Sequence, residues 1–121
     1  CILLVQTAPD FTERASQDLT SAGYNPVFVR NTKSAFSEYK MLQPAMVIID
    51  RQKGGKAALK LCGDLRKAEG QVFILLLLPQ DTLEERINCL EAGADDFITK
   101  PLDRRALLSR IEALLPEAKQ F

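Results

Sequence analysis

The sequence has no histidine among its 121 residues. That absence excludes Ser-His and Cys-His nucleophile pairs, histidine metal sites and a phosphohistidine carried by this chain. An excess of either charge is also missing, because 16 basic residues balance 16 acidic ones. A chain with zero net charge is not expected to bind nucleic acid or another polyanion by itself.

Cysteine and long apolar runs are also scarce. Cys1, Cys62 and Cys89 form no C-x-x-C pair, so we expect reduced thiols in a cytoplasmic protein. Cys62 and Cys89 fall on predicted helices, where a small buried side chain is the default and a redox sensor is the alternative. The most apolar run, 72–78, has the length of a strand, and no segment is long enough to span a bilayer.

Apolar runs alternate with helix-period segments along the chain, whose 46% apolar share and length suit one globular domain. The predicted strands are Ile2–Gln6, Pro26–Arg30, Ala45–Asp50, Val72–Leu78 and Asp96–Thr99. The predicted helices are Asp10–Ala22, Thr32–Leu42, Ala57–Ala68, Asp81–Ala92 and Asp103–Leu115. Short connections between such pairs require right-handed parallel crossovers. The fold class is therefore α/β, a flavodoxin-like (βα)5 doubly wound parallel sheet of order 2-1-3-4-5.

Helix boundaries and buried faces are predicted from caps and periodicity. Thr32 and Asp81 are the expected N-caps, with Glu84 completing a capping box for Asp81. Gly23 and Gly93 are expected to end helices. The residues expected to face inward on the second helix are Ala35, Phe36, Tyr39 and Leu42. Those expected to face inward on the fourth helix are Leu83, Ile87 and Leu90.

Polar residues stand where three of the predicted strands end. The third strand stops at Asp50, and the fifth stops at Lys100, which Pro101 follows. The first strand stops at Gln6 and Thr7, with no charge. The carboxyl ends of parallel strands share a crevice in which such sheets bind ligands. We therefore expect one carboxylate and one ammonium group there, without the further carboxylates that a hard divalent cation needs.

The stretch 90–101, with Glu-Ala-Gly-Ala-Asp-Asp-Phe followed by Lys-Pro, and the stretch 43–50 resemble the receiver domain of two-component response regulators, the CheY-like fold. The resemblance covers nearly the whole chain and is greatest to the OmpR/PhoB-like branch, whose members usually carry a C-terminal DNA-binding domain. It implies that 1–121 is a receiver domain excised from a longer chain, which would bind DNA only through a missing effector domain. Residues 47–51, 61–62 and 88–91 are also similar to cyanobacterial regulators.

The resemblance assigns roles to the residues at the strand ends. Receivers accept a phosphoryl group from a histidine kinase on the aspartate that ends strand three, here Asp50, with Mg²⁺ neutralising the phosphoryl oxygens. Lys100 matches the family's lysine, and its bond to Pro101 would be cis. The main-chain carbonyl of Gln52 matches a metal ligand, and Phe97 occupies the position of the aromatic switch.

Three residues depart from that pattern. Gln6 and Thr7 replace the family's acidic pair, and Leu78 replaces the Ser or Thr that contacts the phosphoryl group. Mg²⁺ usually needs one or two carboxylates, so we expect a weak or absent Mg²⁺ site and no cofactor. The expected protein is an atypical receiver, or pseudo-receiver, that is not an enzyme and does not depend on phosphorylation.

Further charged residues lie close to these strand ends. Asp50 and Lys100 are expected to form an ion pair that maintains the shape of the pocket, with Arg51 and Lys53 adding positive potential. The loop Lys53–Lys56 lacks the spacing of a phosphate-binding loop and follows strand three rather than strand one. A flexible loop is the expected structure.

The resemblance also implies a homodimer about a two-fold axis through the fourth helix, fifth strand and fifth helix. The residues expected on this face are Arg86, Glu91, Asp95, Asp96, Arg105 and Arg110. Asp95 or Asp96 would face the partner subunit's Arg110, while intrachain or solvated pairs are the alternative reading of the same charges.

Three other functions remain open at this point. The chain could be a receiver still phosphorylated on Asp50 by a dedicated histidine kinase, or a protein-protein adaptor using the same face. A flavodoxin-like enzyme or nucleotide binder is disfavoured, because no glycine-rich loop follows strand one and 7–10 is too short to wrap a flavin phosphate. No membrane partner is expected.

Overall fold

The computed structural model describes residues 1–51, 55–68, 72–100 and 103–115. Its single sheet is parallel and has the predicted order β2-β1-β3-β4-β5. The strands are β1 (Ile2–Val5), β2 (Pro26–Val29), β3 (Met46–Asp50), β4 (Phe73–Leu78) and β5 (Asp96–Thr99). The helices are α1 (Pro9–Ser21), α2 (Thr32–Leu42), α3 (Ala57–Lys67), α4 (Leu83–Ala92) and α5 (Arg104–Leu114).

The two faces of the sheet bury two separate apolar cores, because successive strand residues point to opposite faces. One core joins Leu3, Val47 and Leu76 to side chains of α2, α3 and α4. The other joins Leu4 and Ile48 to side chains of α1 and α5. Asp50 lies two residues after Ile48 on β3, so its side chain is directed to the same side of the sheet, that of α1 and α5.

Local signals explain most of the helix boundaries. Pro9 occupies the first turn of α1, where its missing N–H costs nothing. Gly93 ends α4 in the left-handed conformation with φ +94°, as predicted. Two predicted N-caps were wrong. The N-cap of α2 is Asn31, whose side chain accepts the Ser34 amide at 2.9 Å, rather than Thr32.

The second wrong N-cap belongs to α4. Thr82 caps this helix by accepting the Glu85 amide at 3.2 Å, so α4 begins two residues later than predicted. Asp81 instead accepts two hydrogen bonds from the Arg86 guanidinium, at 2.6 and 2.8 Å. Glu84 consequently does not complete a capping box with Asp81, because Asp81 precedes the N-cap.

The predicted inward face of α4 was also wrong. Leu83 is 74% exposed, Ile87 is 44% exposed and Leu90 is 71% exposed. The helix packs through Cys89 and Ala92 instead. Leu42 of α2 is likewise exposed, whereas Ala35 and Tyr39 are buried as predicted. An apolar strip therefore runs along the outer surface of α4.

Within the described ranges, none of the helices combines the length and the apolar character needed to cross a lipid bilayer.

Candidate functional site

Asp50 and Lys100 meet at the carboxyl edge of the sheet. The Nζ atom of Lys100 donates a hydrogen bond to Oδ1 of Asp50 at 3.0 Å. Asp50 is only 3% exposed, whereas Lys100 reaches solvent. The amide of Lys100 also donates to the carbonyl of Leu78 at 3.0 Å, so sheet hydrogen bonding continues up to this residue. The expected ion pair is therefore present between two residues that the sheet holds in place.

Gln6 and Thr7, which follow β1, both use their side chains within the protein. Gln6 has φ +60°, and its Nε2 donates to the main-chain carbonyl of Asp50 at 3.0 Å. The buried Thr7 hydroxyl forms a short hydrogen bond with the hydroxyl of Thr12, which donates at 2.8 Å to the carbonyl of Ala8. These contacts connect β1 to β3 and to the start of α1.

A cleft of about 470 Å³ lies beside Asp50, between the amino-terminal ends of α1 and α5. Its lining residues are Ala8, Asp10, Phe11, Arg14, Asp50, Lys100 and Arg104. The segments that follow β1 and β5, which include the beginnings of α1 and α5, therefore supply most of its walls. Three of the charged lining residues, Asp10, Arg14 and Arg104, were not predicted as site residues.

Three other predicted pocket residues, Gln6, Thr7 and Leu78, do not line this cleft. Leu78 is buried in the core on the α2, α3 and α4 side of the sheet. The side chains of Gln6 and Thr7 are engaged as described, and neither contributes to the lining. Gln52 and Pro101 lie outside the described residues, so the main-chain metal ligand and the cis bond remain predictions.

The residues around Asp50 fit a divalent cation poorly. Mg²⁺ is bound by oxygen atoms, usually including one or two carboxylates besides water. Here Oδ1 of Asp50 accepts from Lys100, and the amide nitrogen of Gln6, a donor, faces the same residue. Among the described residues, no three acidic, histidine or cysteine side chains gather in a way that could hold a metal.

Arg51 does not add positive potential to the cleft, contrary to the prediction. It is buried, and its Nη1 donates to the carbonyl of Gly55 at 2.6 Å. Its Nε lies 3.0 Å from Oε2 of Glu85 on α4. Since Arg51 follows Asp50 by one residue, its side chain is directed to the other face of the sheet. Lys53 lies outside the described residues.

Phe97 is half-buried against the core formed with α2, α3 and α4. The guanidinium carbon of Arg86 lies 5.8 Å from the centre of its ring, a distance suitable for a cation–π contact. Arg86 also binds Asp81, and the hydrogen bond from Arg86 lowers the pKa of the Asp81 carboxyl. Phe97 therefore contacts Arg86, whose guanidinium is bound to the residue that precedes the N-cap of α4.

Two acidic residues of the predicted dimer face, Asp95 and Asp96, form pairs within the chain. Asp96 accepts a short hydrogen bond from Arg110 of α5. Asp95 accepts from Arg66 of α3 and, at 2.7 Å, from the main-chain amide of Ile74. These pairs match the intrachain alternative for Asp95 and Asp96.

Two further observations complete the description of that face. Glu91 and Arg105 are exposed on α4 and α5. Arg66, which the sequence analysis overlooked, also donates to the carbonyls of Gly93 at 2.5 Å and Val72 at 2.8 Å. Its position in the last turn of a predicted helix gave no signal that it would connect three elements.

Comparison with known proteins agrees with this geometry. The family model "Response regulator receiver domain" matches residues 2–112. The response regulator RppA of Synechocystis is 32% identical over 122 residues, which cover 99% of this chain and 52% of RppA. The phosphate regulon transcriptional regulatory protein PhoB of Pseudomonas aeruginosa is 31% identical over 116 residues, which cover 94% of this chain and 51% of PhoB.

Solved structures give the same result. The signal receiver domain of a histidine kinase from Syntrophus aciditrophicus superposes with a TM-score of 0.84 at 30% identity, covering 99% of this chain and 92% of that one. The receiver domain of the regulator TorR superposes with a TM-score of 0.86 at 27% identity, covering 97% of each chain. The chain spans about half the length of the curated relatives it matches. The chain belongs to the response regulator receiver domain family of two-component signalling systems.

Proposed function

We propose that this receiver controls its regulator without Mg²⁺-assisted phosphorylation of Asp50. The contact that supports this most directly is the hydrogen bond from the Gln6 amide to the carbonyl of Asp50, at 3.0 Å. It places a donor where the family has an acid, so a cation gains no charge neutralisation there. Leu78, buried and without a hydroxyl, offers nothing to hydrogen-bond a phosphoryl oxygen. The domain acts as a regulatory module rather than as an enzyme, in the cytoplasm.

The first experiment asks whether Asp50 is modified. The protein is incubated with acetyl phosphate, or with beryllofluoride, in the presence of Mg²⁺, and its mass and ¹H–¹⁵N spectrum are recorded. We expect no stoichiometric gain of mass and no shift that reaches Phe97. Complete modification of the wild type, absent from Asp50→Asn, would contradict the proposal.

A gain-of-function variant tests the physical reason. The double substitution Gln6→Glu with Thr7→Asp restores two carboxylates beside Asp50, and we expect it to bind Mg²⁺ at millimolar concentration. The matched control, Thr32→Asp with Gln43→Glu, adds the same charge at the two ends of α2. If the control gains as much affinity for Mg²⁺, general electrostatic attraction would account for the effect.

A receiver phosphorylated on Asp50 is the second candidate function. The 3.0 Å contact between Asp50 and Lys100 favours it, because these are the acceptor and the cation that phosphoryl transfer in this family requires. A cognate histidine kinase that places an acid-labile label on the wild type, but not on Asp50→Asn, would support this candidate and contradict the first.

We further propose that the domain dimerises its regulator through α4, β5 and α5. Leu83, Ile87 and Leu90 present an apolar strip there, and an isologous contact would bury it. The exposed Glu91 follows Leu90 on α4, and Arg105 and the pair between Asp96 and Arg110 lie on β5 and α5, the other elements of this face. Arg110 would then exchange its intrachain partner for one in the second subunit.

Analytical ultracentrifugation at several concentrations tests the dimer. Leu90→Glu should abolish concentration-dependent dimerisation, because a charge would be buried at the contact. Met41→Glu is the matched control: Met41 is 79% exposed but lies on α2. A wild type that stays monomeric at all concentrations would favour an adaptor that presents the same strip to a different protein.

The proposed regulator is longer than this chain. Because the relatives are about twice as long, the domain would act on DNA through an appended effector domain. Sequencing the full gene tests this directly: a winged-helix segment downstream would support it, and a stop codon soon after Phe121 would contradict it. The cyanobacterial source suggested by residues 47–51, 61–62 and 88–91 also remains a prediction.

A further inference from the structure

The cleft beside Asp50 has more cationic than anionic side chains. Arg14, Lys100 and Arg104 line it together with the two carboxylates of Asp10 and Asp50. Lys100 and Asp50 neutralise each other across 3.0 Å, and Arg104 is paired with Asp18, which does not line the cleft. Arg14 and the remaining N–H groups of Arg104 are therefore left with the carboxylate of Asp10 as the other acidic group of the lining. The family's acidic pair would reverse this balance, but here Gln6 and Thr7 contribute no charge.

The two arginines differ in how far they are already used. Nη1 of Arg104 donates to Oδ2 of Asp18 at 3.1 Å, and its remaining N–H groups are available because a guanidinium has five donors. Arg14 forms no hydrogen bond or ion pair with any residue in the described ranges. Arginine is suited to binding anions, since its planar guanidinium group donates two parallel hydrogen bonds to carboxylate or phosphate oxygens.

The remaining wall of the cleft is apolar. Phe11 is half-buried on α1, and Ala8 precedes that helix. We propose that the cleft binds a small organic oxyanion without a metal and without a covalent bond. Its carboxylate or phosphate group lies between Arg14 and Arg104, and its apolar body lies against Phe11. A cleft of about 470 Å³ accommodates a molecule of the size of phenyl phosphate.

This inference does not rest on the proposed function, because Asp50 need not react. Binding at α1 and α5 would connect the ends of two helices that pack on the same face of the sheet. Because α5 also belongs to the proposed dimer face, we expect binding of the anion in the cleft to change the strength of dimerisation.

The experiment uses ¹⁵N-labelled protein with excess EDTA. Phenyl phosphate and benzoate are titrated separately, and benzyl alcohol serves as a neutral compound of similar size. We expect saturable shifts at Phe11, Arg14 and Arg104 with one or both anions and none with benzyl alcohol. The comparison between the two anions identifies phosphate or carboxylate as the preferred group, and unchanged protein mass shows that binding is not covalent.

Variants separate this site from general attraction. Arg14→Gln and Arg104→Gln should each weaken binding about tenfold, because each removes a charge-assisted hydrogen bond. Arg30→Gln is the matched control, an exposed arginine after β2 that does not line the cleft. An absence of saturable shifts, an equal loss in Arg30→Gln, or a requirement for Mg²⁺ would each overturn the proposal.

Discussion

Arg51, the residue after Asp50, places its Nε atom 3.0 Å from Oε2 of Glu85 on α4. The two side chains are only 7% and 12% exposed. They meet as an ion pair rather than as an aligned hydrogen bond. Charges removed from water in this way are held by their mutual attraction, so the position of α4 is tied to the segment that follows Asp50.

Removal of the Glu85 carboxylate should therefore destabilise the fold. We expect Glu85→Ala to lower the free energy of unfolding by about 3 kcal/mol, because it removes the carboxylate that lies 3.0 Å from the buried guanidinium of Arg51. Urea denaturation measures the change. Glu84→Ala, one residue earlier and exposed, should stay within about 0.5 kcal/mol of the wild type. Equal losses in both variants would show that the pair contributes nothing.

The capping of α4 can be tested by a second pair of variants. Thr82→Ala removes the oxygen that accepts the Glu85 amide and should cost about 1 kcal/mol. Asp81→Ala removes only an exposed ion pair and should cost less. Urea denaturation of the two proteins ranks them, and the reverse order would restore Asp81 as the cap.

The Asp81 pair also has a pH signature. The hydrogen bond from Arg86 lowers the pKa of the Asp81 carboxyl in the folded state. The contribution of this pair to the stability of the fold is therefore present above the ordinary carboxyl pKa range and is lost as the pH falls through the lowered pKa. The difference in stability between wild type and Asp81→Asn should therefore vanish in acid, and a difference that grows in acid would contradict the assignment.

The prediction of the sheet succeeded because its signals are local and repeated. Apolar runs of strand length alternate with helices, and only a parallel sheet satisfies short connections of that kind. The opposition of Asp50 and Lys100 follows from that topology alone. The charged walls of the cleft do not, because the directions of Arg14 and Arg104 depend on how α1 and α5 pack.

The error on α4 has a specific cause. Leu83, Ile87 and Leu90 have helical spacing, but so do Glu85, Cys89 and Ala92, and two positions correspond to a rotation of about 200°. Hydrophobicity favours the first set. The second set faces inward because Glu85 pairs with Arg51 and Cys89 packs in the core. A local sequence pattern does not show which residues of other elements will be the partners of a helix.

Two glycines with the same backbone conformation allow a matched comparison. Gly23 and Gly93 have φ values of +96° and +94°, so alanine is strained at either site. A Cβ atom at Gly93 would lie 2.9 Å from Cγ of Arg66, whereas none of the described atoms lies within 4 Å at Gly23. Thermal unfolding should therefore show a larger loss for Gly93→Ala, and equal losses would mean that Arg66 moves aside at no cost.

The thiols should differ in reactivity because they differ in burial. Desolvation raises the pKa of Cys62 to about 12 and that of Cys89 to about 11, whereas Cys1 is exposed. The thiolate is the reactive form, so a disulfide reagent at pH 8 should modify one thiol of the native protein quickly and all three after unfolding in urea. Rapid modification of all three thiols in the folded protein would show that α3 and α4 separate readily, and would exclude a tightly held α4.

Because both pKa values are raised, the stability that these thiols contribute is complete below the ordinary thiol pKa and declines as the pH rises towards 11 and 12.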